Sequence, residues 1–421
     1  MSARGTGGEP PLRHYIDEET LHDVPDDPDA LGHWLADRLD TEPPGDSAGE
    51  REYRTEVGVA ARMLRRLDVA ENQLRRALEL AESVSPFAAV LARVRLAHVY
   101  QWQQREELAG TEFARCLELA ERMPELGWRC SFVYQHAGKC AYDFGDWPRA
   151  RELFELALRV RREYDDREYD DEELTASSEL ALDAADACVT ATGVAAELHR
   201  LVPALHRAAA EGARPVFTTH GRPPHAGLLI DLGPLAAQPE IGMAVLNAIH
   251  RYATGLDTAL RELVADGWLV PAGDTMRCTD RTRALVADLL AVQAETAGRI
   301  WPLAETALSV VDEVALAAVG TSASGVFEAL LAVAPDEPPA GALLHRMTAL
   351  RQHRAEAHAR AWAIQGHSVS DLLALRPEEP VRRRIEAATD RRAAAAFRPS
   401  STATRAELLA ALRALPDTAP K

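Results

Sequence analysis

The chain has 421 residues, a formal charge of -18 at pH 7 and only 5% aromatic residues. That length allows two or three domains, and the scarcity of aromatics suits helical packing better than a sheet sandwich. The acidic balance works against non-specific attraction to DNA or acidic lipid.

No apolar stretch reaches the roughly 18 residues of a membrane span, and the first residues lack the apolar core of a secretory signal. Residues 303–333 are rich in Ala and Val, but acids interrupt them. The cysteines, Cys116, Cys130, Cys140, Cys188 and Cys278, are scattered and odd in number, which fits reduced thiols in the cytoplasm. Lys139 and Lys421 are the only lysines, so arginine carries the positive charge. This reads as codon usage in a GC-rich genome and says nothing about phosphate binding.

Residues 1–30 are rich in Gly, Pro and Asp and are expected to be loose. His33 to Leu39 should form a short helix, which EPPGDSAG at 42–49 ends. Residues 1–49 are therefore read as a flexible N-terminal segment.

From Glu50 the pattern is almost continuously helical, and one motif recurs three times. Its cores are LRRLDVAENQLRRALELAE, WQQREELAGTEFARCLELAE and DFGDWPRARELFELALRVR. Leu74, Phe113 and Phe154 align, as do Ala70, Ala109 and Ala150; Ala77, Cys116 and Ala157; and Gly58, Ala97 and Gly138. Spacings of 39 and 41 residues make this a repeat period. Small residues let two helices of a pair approach, and the large Leu or Phe fills the groove between them. In the third copy Gly145 permits a tight turn, Asp146 can cap the second helix, and Pro148 sits in its first turn.

This pattern resembles the tetratricopeptide repeat family, with Gly138, Ala150, Phe154 and Ala157 at consensus positions and Tyr134 in the usual aromatic place. The period exceeds the family's 34 residues, so the helices or loops are longer here. A fourth helix pair, including 171–187, would complete a repeat domain at 50–204. The resemblance implies a concave face that takes a protein segment or, in some bacterial regulators, a small ligand. Polar residues of the first helices, Arg93, His98, Gln101, Gln135 and Lys139, are the candidate groove residues; the alternative is that they simply face solvent. Trp102, Trp128 and Trp147 read as packing between repeats. The acid run YDDREYDDEE at 164–173 lacks the spacing and glycine of a calcium loop and reads as a solvated linker.

EGARPVFTTHGRPPH breaks the helical pattern, giving a linker at 205–225. Beyond it QPEIGMAVLNAIHRY reads as a helix, ATG at 253–255 as a turn, and LDTALRELVADG as a second helix ending at Gly267. Trp268, Leu269 and Val270 form a short strand, with a turn at Ala272–Asp274, a return strand near Met276–Thr279, and a long helix from DRTRALVADLLAVQAE. This unit, 226–300, has the helix–turn–helix and wing of a winged helix. LRELVADGWLV followed by RCTDRTRALV resembles bacterial MarR-type winged helices. If DNA is contacted, Arg251, Thr258, Arg261, Arg277, Arg281 and Arg283 are the candidates. However, Asp257, Glu262 and Asp266 outnumber Arg261 on the recognition helix, so DNA is disfavoured against a structural or dimerising role.

The region 301–421 is helical. LLHRMTALRQHRAEAHARAWAIQGHS and RRRIEAATDRRAAAAF resemble a family of uncharacterised actinobacterial helix–turn–helix-related proteins. Leu350, Arg351, His353, Arg354 and His358 match its first motif, and Ile385, Glu386, Thr389, Asp390 and Arg391 its second. Only residues 373–385 separate Leu372 from Glu386, where that family places a second winged unit. His353, Glu356 and His358 are candidates for a catalytic site in a ligand-binding or enzymatic cavity. His345 and His353 are metal candidates needing a further ligand such as His220, His225 or His250. The His-Glu-x-x-His spacing is absent, as are a Walker loop, a dinucleotide glycine pattern and a Gly-x-Ser-x-Gly elbow, and satisfied helix histidines are the default. GTSASG at 320–325 reads as a loop. Thr404 and Glu407 form a capping box for the last helix, which packs on the bundle or mediates a homodimer.

The sequence is thus read as mainly all-α, a tetratricopeptide-like stack followed by a winged-helix-related helical domain with a small β-wing. The expected role is regulatory: the repeats bind a protein segment or small ligand and are coupled to the second domain. A sequence-specific DNA-binding regulator and a secondary-metabolism enzyme remain as alternatives. No cofactor or membrane contact is expected.

Overall fold

The computed structural model describes residues 11–164, 172–333 and 338–418, so most of the acid run at 164–173 lies outside the described residues. The chain divides into two compact units, Met1–Asp186 and Ala187–Lys421.

In the first unit, residues read from the sequence as loose form an antiparallel hairpin of β1 (His14–Ile16) and β2 (Asp23–Pro25), with Tyr15 opposite Val24. The helices α1 (Pro28–Leu39) and α2 (Ser47–Met63) follow, capped by the side chains of Asp27 and Asp46. Next come α3 (Leu67–Glu82), α4 (Pro86–Trp102), α5 (Glu106–Arg122), α6 (Cys130–Asp143) and α7 (Trp147–Tyr164). They pack as the pairs α2/α3, α4/α5 and α6/α7, with α3 against α4 and α5 against α6. A Cβ on Gly58 would lie 2.5 Å from Leu74, and one on Gly138 would lie 2.6 Å from Phe154. Ala97 is fully buried at the equivalent position. Small residues thus let each helix pair close over its large partner, and one apolar core runs through the stack from Leu31 to Leu153.

The three inter-helix turns share one geometry. Arg65, Gln104 and Gly145 have φ of +60°, +61° and +83°, and the next amide reaches back five residues, from Arg66 to Ala61 O, Arg105 to Tyr100 O and Asp146 to Ala141 O. Only the third copy has a glycine there and a side-chain cap, Asp146 accepting from Arg149 N at 3.2 Å. α3 and α5 begin without one.

In place of a fourth pair there is one helix of 49 residues, α8 (Glu172–His220). Its first turns pack on the third pair, where Ser178 donates to Gln135 Oε1 at 2.7 Å and Arg161 donates to Ser178 at 2.8 Å. The stretch read as a linker at 205–225 is helical as far as His220, with Pro203 and Pro215 inside the helix. The alanines between them favour helix strongly enough to carry it past the proline breaks.

The second unit continues with α9 (Ala226–Ile230), a 3₁₀ turn (Gly233–Ala237), β3 (Ile241–Gly242), α10 (Met243–Ile249), α11 (Leu256–Ala265), β4 (Leu269–Ala272), β5 (Thr275–Cys278) and α12 (Asp280–Ile300). The strands make an antiparallel sheet in the order β3-β5-β4. The expected helix from Gln238 starts only at Met243, because Ile241 and Gly242 are taken up pairing with Met276 and Thr275. α13 (Ala304–Ala317), α14 (Val326–Ala332), α15 (Pro339–Ile364), α16 (Val369–Ala374), α17 (Pro380–Ala393) and α18 (Thr402–Ala414) complete the unit. α12, α13, α14 and α17 pack around α15, and α18 lies on α13. Ser401, rather than Thr404, caps α18. That helix packs on the bundle, with Leu408 and Leu412 fully buried and Arg200 donating to Leu412 O and Leu415 O. Among the described residues no helix is long and apolar enough to cross a membrane.

Candidate functional site

The first helix of each pair turns a polar face to the hairpin. On α4, His98, Gln101 and Trp102 lie at i, i+3 and i+4, and on α6, His136, Lys139 and Asp143 lie at i, i+3 and i+7, each set on one helix face. Arg62 of α2 stands at the repeat position of Gln101, and Arg65 follows in the left-handed turn. Arg62, His98, Gln101, Trp102, Lys139 and Asp143 are all buried, so this face is a covered seam and not open surface.

The hairpin covers it. Asp17 Oδ1 accepts from the Thr20 amide at 2.8 Å and the Thr20 hydroxyl at 2.6 Å, and Leu21 turns through φ +58°, which delivers His22 and Asp23 to the helices. Asp23 accepts from Arg62 at 2.7 Å and from Lys139 at 3.0 Å. His22 stacks on Trp102 with ring centroids 4.5 Å apart. Arg65 can only donate, so its contact with His22 Nδ1 at 2.8 Å makes that nitrogen an acceptor. The proton therefore sits on Nε2, which donates to Asp143 at 2.7 Å. The same Asp143 oxygen accepts from Gln101 at 2.6 Å.

Burial alone would push the Asp23 carboxyl up, but Lys139 and Arg62 overrule it and hold the group well below the ordinary aspartate value. Burial, reinforced by the neighbouring cations, pushes His98 and His136 well below the usual histidine range, so both rings are neutral. The hairpin leaves part of the seam unsatisfied. Arg62 Nη1, His98 Nε2, Gln101 Oε1, Trp102 Nε1 and His136 Nδ1 are buried without a hydrogen-bond partner, where native interiors pair nearly all such groups.

Of the candidate groove residues, His98, Gln101 and Lys139 come together in the seam. Gln135 turns to α8 instead, and Arg93 pairs with Glu82 at 2.6 Å and with Glu112. Trp102 is a platform for His22 and for Arg62 and Arg65, whose guanidinium carbons lie 4.6 and 4.0 Å from its ring centre. Trp147 does pack, edge-on to Tyr142. The sequence reading missed His22, Asp23, Arg62, Arg65, His136 and Asp143. Arg62 was within reach through its repeat register with Gln101.

The tetratricopeptide repeat family matches residues 88–163. The chain carries a tetratricopeptide repeat segment. It spans α4 to α7, the second and third copies, and so supplies His98, Gln101, Trp102, His136, Lys139 and Asp143 of the seam. No curated protein and no solved structure matches the chain.

Outside the repeat segment, His353 and Glu356 of α15 both engage the 320–325 loop, while His345 and His358 engage other partners. His353 Nε2 meets the Thr321 hydroxyl at 3.0 Å, and its ring lies edge-on to Phe327. Glu356 accepts from the Ser322 and Ser324 hydroxyls at 2.8 and 2.7 Å and from the Ala323 and Ser324 amides. It therefore fixes the 320–325 loop, and these hydrogen bonds hold its carboxyl below the ordinary value against the effect of burial. His358 Nδ1 meets the Tyr252 hydroxyl at 2.8 Å, and His345 donates to Leu330 O at 2.7 Å. His220 and His225 pair with Asp288 and Glu262, and His250 lies 3.9 Å from Asp231. Among the described residues no group of three His, Cys, Asp or Glu could hold a metal ion.

Around α11, Thr258 accepts from Arg261 at 2.9 Å and both are exposed, as is Arg277. Arg281 lies 3.8 Å over Trp268 and donates to His220 O. Arg283 donates to Cys278 O and pairs with Asp280. Arg251 is half-buried and donates to Ala248 O.

Proposed function

We propose that the protein is a cytoplasmic regulator whose repeat unit reads an extended protein segment, with the second unit passing that event on. The observation that carries this is Asp23 lodged between Arg62 and Lys139. The polar face of the repeat helices takes a stretch of chain by burying its carboxylate. The unsatisfied polar atoms around His98, Gln101 and Trp102 support the reading, because they leave donors and acceptors for a segment to use. The groove residues for such a segment are His98, Gln101 and Lys139, joined by Arg62, Trp102 and Asp143. A peptide of residues 11–27 added to a chain lacking residues 1–27 should bind in trans, and the Asp23→Asn peptide should bind much more weakly. Absence of binding by a folded truncated chain rejects the reading.

The order β3-β5-β4, with α10 and α11 ahead of the β4–β5 turn, favours the winged-helix layout for the second unit. Asp257 and Glu262 on α11 and Asp266 at its C-terminal cap, together with the intrachain engagement of Arg281 and Arg283, favour a structural or dimerising use. Salt-dependent binding to the gene's own upstream DNA, lost in Arg261→Ala, would instead establish a DNA-binding regulator.

A further inference from the structure

Within the second unit, α15, α17 and the α8 turns at 192–199 surround a cavity of about 500 Å³. His199 of α8, Arg351, Arg354 and His358 of α15, and Arg382 and Glu386 of α17 supply its polar lining, with small apolar side chains between them. Arg351, Arg354 and His358 share a face because they recur at i, i+3 and i+7.

The charges in this cavity are incompletely matched. Glu386 accepts from Arg382 at 2.7 Å, and the same carboxylate stands 3.7 Å from Arg354 and 3.6 Å from His358. A single side chain thus serves three cationic or protonatable groups. Arg354 also has Asp390 at 2.8 Å, but its Nη1 makes no well-formed hydrogen bond. Arg351 has no ion pair or hydrogen bond among the described residues, and Asp231 acts on it only at longer range. His358 Nε2 is buried without a hydrogen-bond partner. Arg251, near enough to bear on His358, buries both Nη atoms unpartnered. Arg351 is exposed, but the buried guanidinium nitrogens of Arg354 and Arg251 are costly to leave unpaired, so this cluster is short of acceptor oxygens.

We propose that this cavity binds the phosphate group of a small metabolite. A phosphate offers three terminal oxygens to the forks of Arg351, Arg354 and Arg382, where a carboxylate offers two and Glu386 already provides one such group. The volume exceeds that of the phosphate alone and falls in the range of small-molecule sites. The rest of the metabolite lies along the apolar wall. Glu386 is the internal competitor for the same guanidiniums, which separates a binding site from a mere ion network between α15 and α17.

The test titrates the full chain with inorganic phosphate and with pyrophosphate by calorimetry, at ionic strength held constant with chloride. Wild type should show saturable binding. Arg351→Gln removes a residue with no ion pair to lose, and it should weaken binding by about tenfold or more. Glu386→Gln should tighten binding, whereas an ion network alone predicts loss of thermal stability with no gain in affinity. Circular dichroism confirms that each variant is folded. Absence of saturable binding by wild type overturns the proposal, as do two folded variants that both titrate like wild type. Binding of benzoate where phosphate fails overturns the phosphate assignment.

Discussion

Gly138 lies so close to Phe154 that a Cβ added to the glycine would sit 2.6 Å from the ring. A Gly138→Ala variant must displace a fully buried aromatic, at a cost of about 1–3 kcal/mol. Gly110, on an exposed face of α5, has nothing within 4 Å of its added Cβ. Gly110→Ala should raise stability by about 0.5–1 kcal/mol. Thermal denaturation of the two variants should move in opposite directions, and a common direction would contradict the packing described.

Asp23→Asn should be among the most destabilising substitutions in the first unit. It leaves Arg62 and Lys139 buried without their shared counter-charge, a loss of about 3–5 kcal/mol. Adding Lys139→Met should restore part of that loss by removing one orphaned charge. Urea denaturation of the single and double variants measures this, and a single-variant loss below about 1 kcal/mol would place Asp23 outside the seam's core.

Acid should weaken the repeat unit before it reaches carboxylate pKa values. His98 and His136 are held well below 6.5 by burial first, and then by Arg62 beside His98 and Lys139 beside His136. Below about pH 6.5 the unfolded chain takes up protons that the folded protein refuses. Stability therefore falls as the pH drops, by roughly 1.4 kcal/mol per pH unit for each histidine until its folded value is reached. Asp23, whose folded value lies below 3.8, keeps its contribution through that range and loses it only as more acid protonates the folded carboxyl. Denaturation midpoints at pH 7.5 and 5.5 should differ in wild type and differ by less in His136→Phe, with His98 keeping its share.

Gln104 occupies the left-handed turn position that Gly145 fills in the third copy. Gln104→Gly should stabilise the second pair by roughly 0.5–1 kcal/mol, since a side chain in that conformation carries about 1 kcal/mol of strain. A loss of thermal stability would show that the Gln104 side-chain bond to Gln101 O outweighs the strain.

Glu356→Gln should loosen the 320–325 loop without unfolding α15. Amide hydrogen exchange at Ala323 and Ser324 is the readout, because both amides donate to this carboxylate. Unchanged protection would assign the loop's order to other contacts.

The repeat itself was legible because its signal is local: small and large residues recur at helical spacing, and Gly145 and Asp146 mark a turn by their own chemistry. The first two turns hid the same geometry behind Arg65 and Gln104, residues that announce no left-handed conformation. The order of α10, α11, β4 and β5 followed from apolar runs and glycines, while β3 escaped because two residues carry no periodicity. The seam was only half readable. His98, Gln101 and Lys139 stand out as polar residues on a helix face. Asp23 and His22 gain their meaning from partners over a hundred positions away, and no spacing rule reaches that far. For the histidines of α15, closeness in sequence says nothing about the partners they meet: Leu330 O for His345, the Thr321 hydroxyl for His353 and the Tyr252 hydroxyl for His358.

The separation between Asp23 and Lys139 also sets an order of events during synthesis. The hairpin leaves the ribosome 116 residues ahead of the lysine that neutralises its aspartate, and loop closure over that span must wait for α2, α4 and α6 to be laid side by side. Local helix pairs can form as they emerge and bring Arg62 and Trp102 to Asp23 and His22, whereas the contacts to Lys139 and Asp143 must wait for the third pair. Full neutralisation of the Asp23 pocket is then a late step, and a nascent chain stalled before α6 would hold its hairpin without the Lys139 and Asp143 contacts, a state that proteases or chaperones could distinguish from the finished protein.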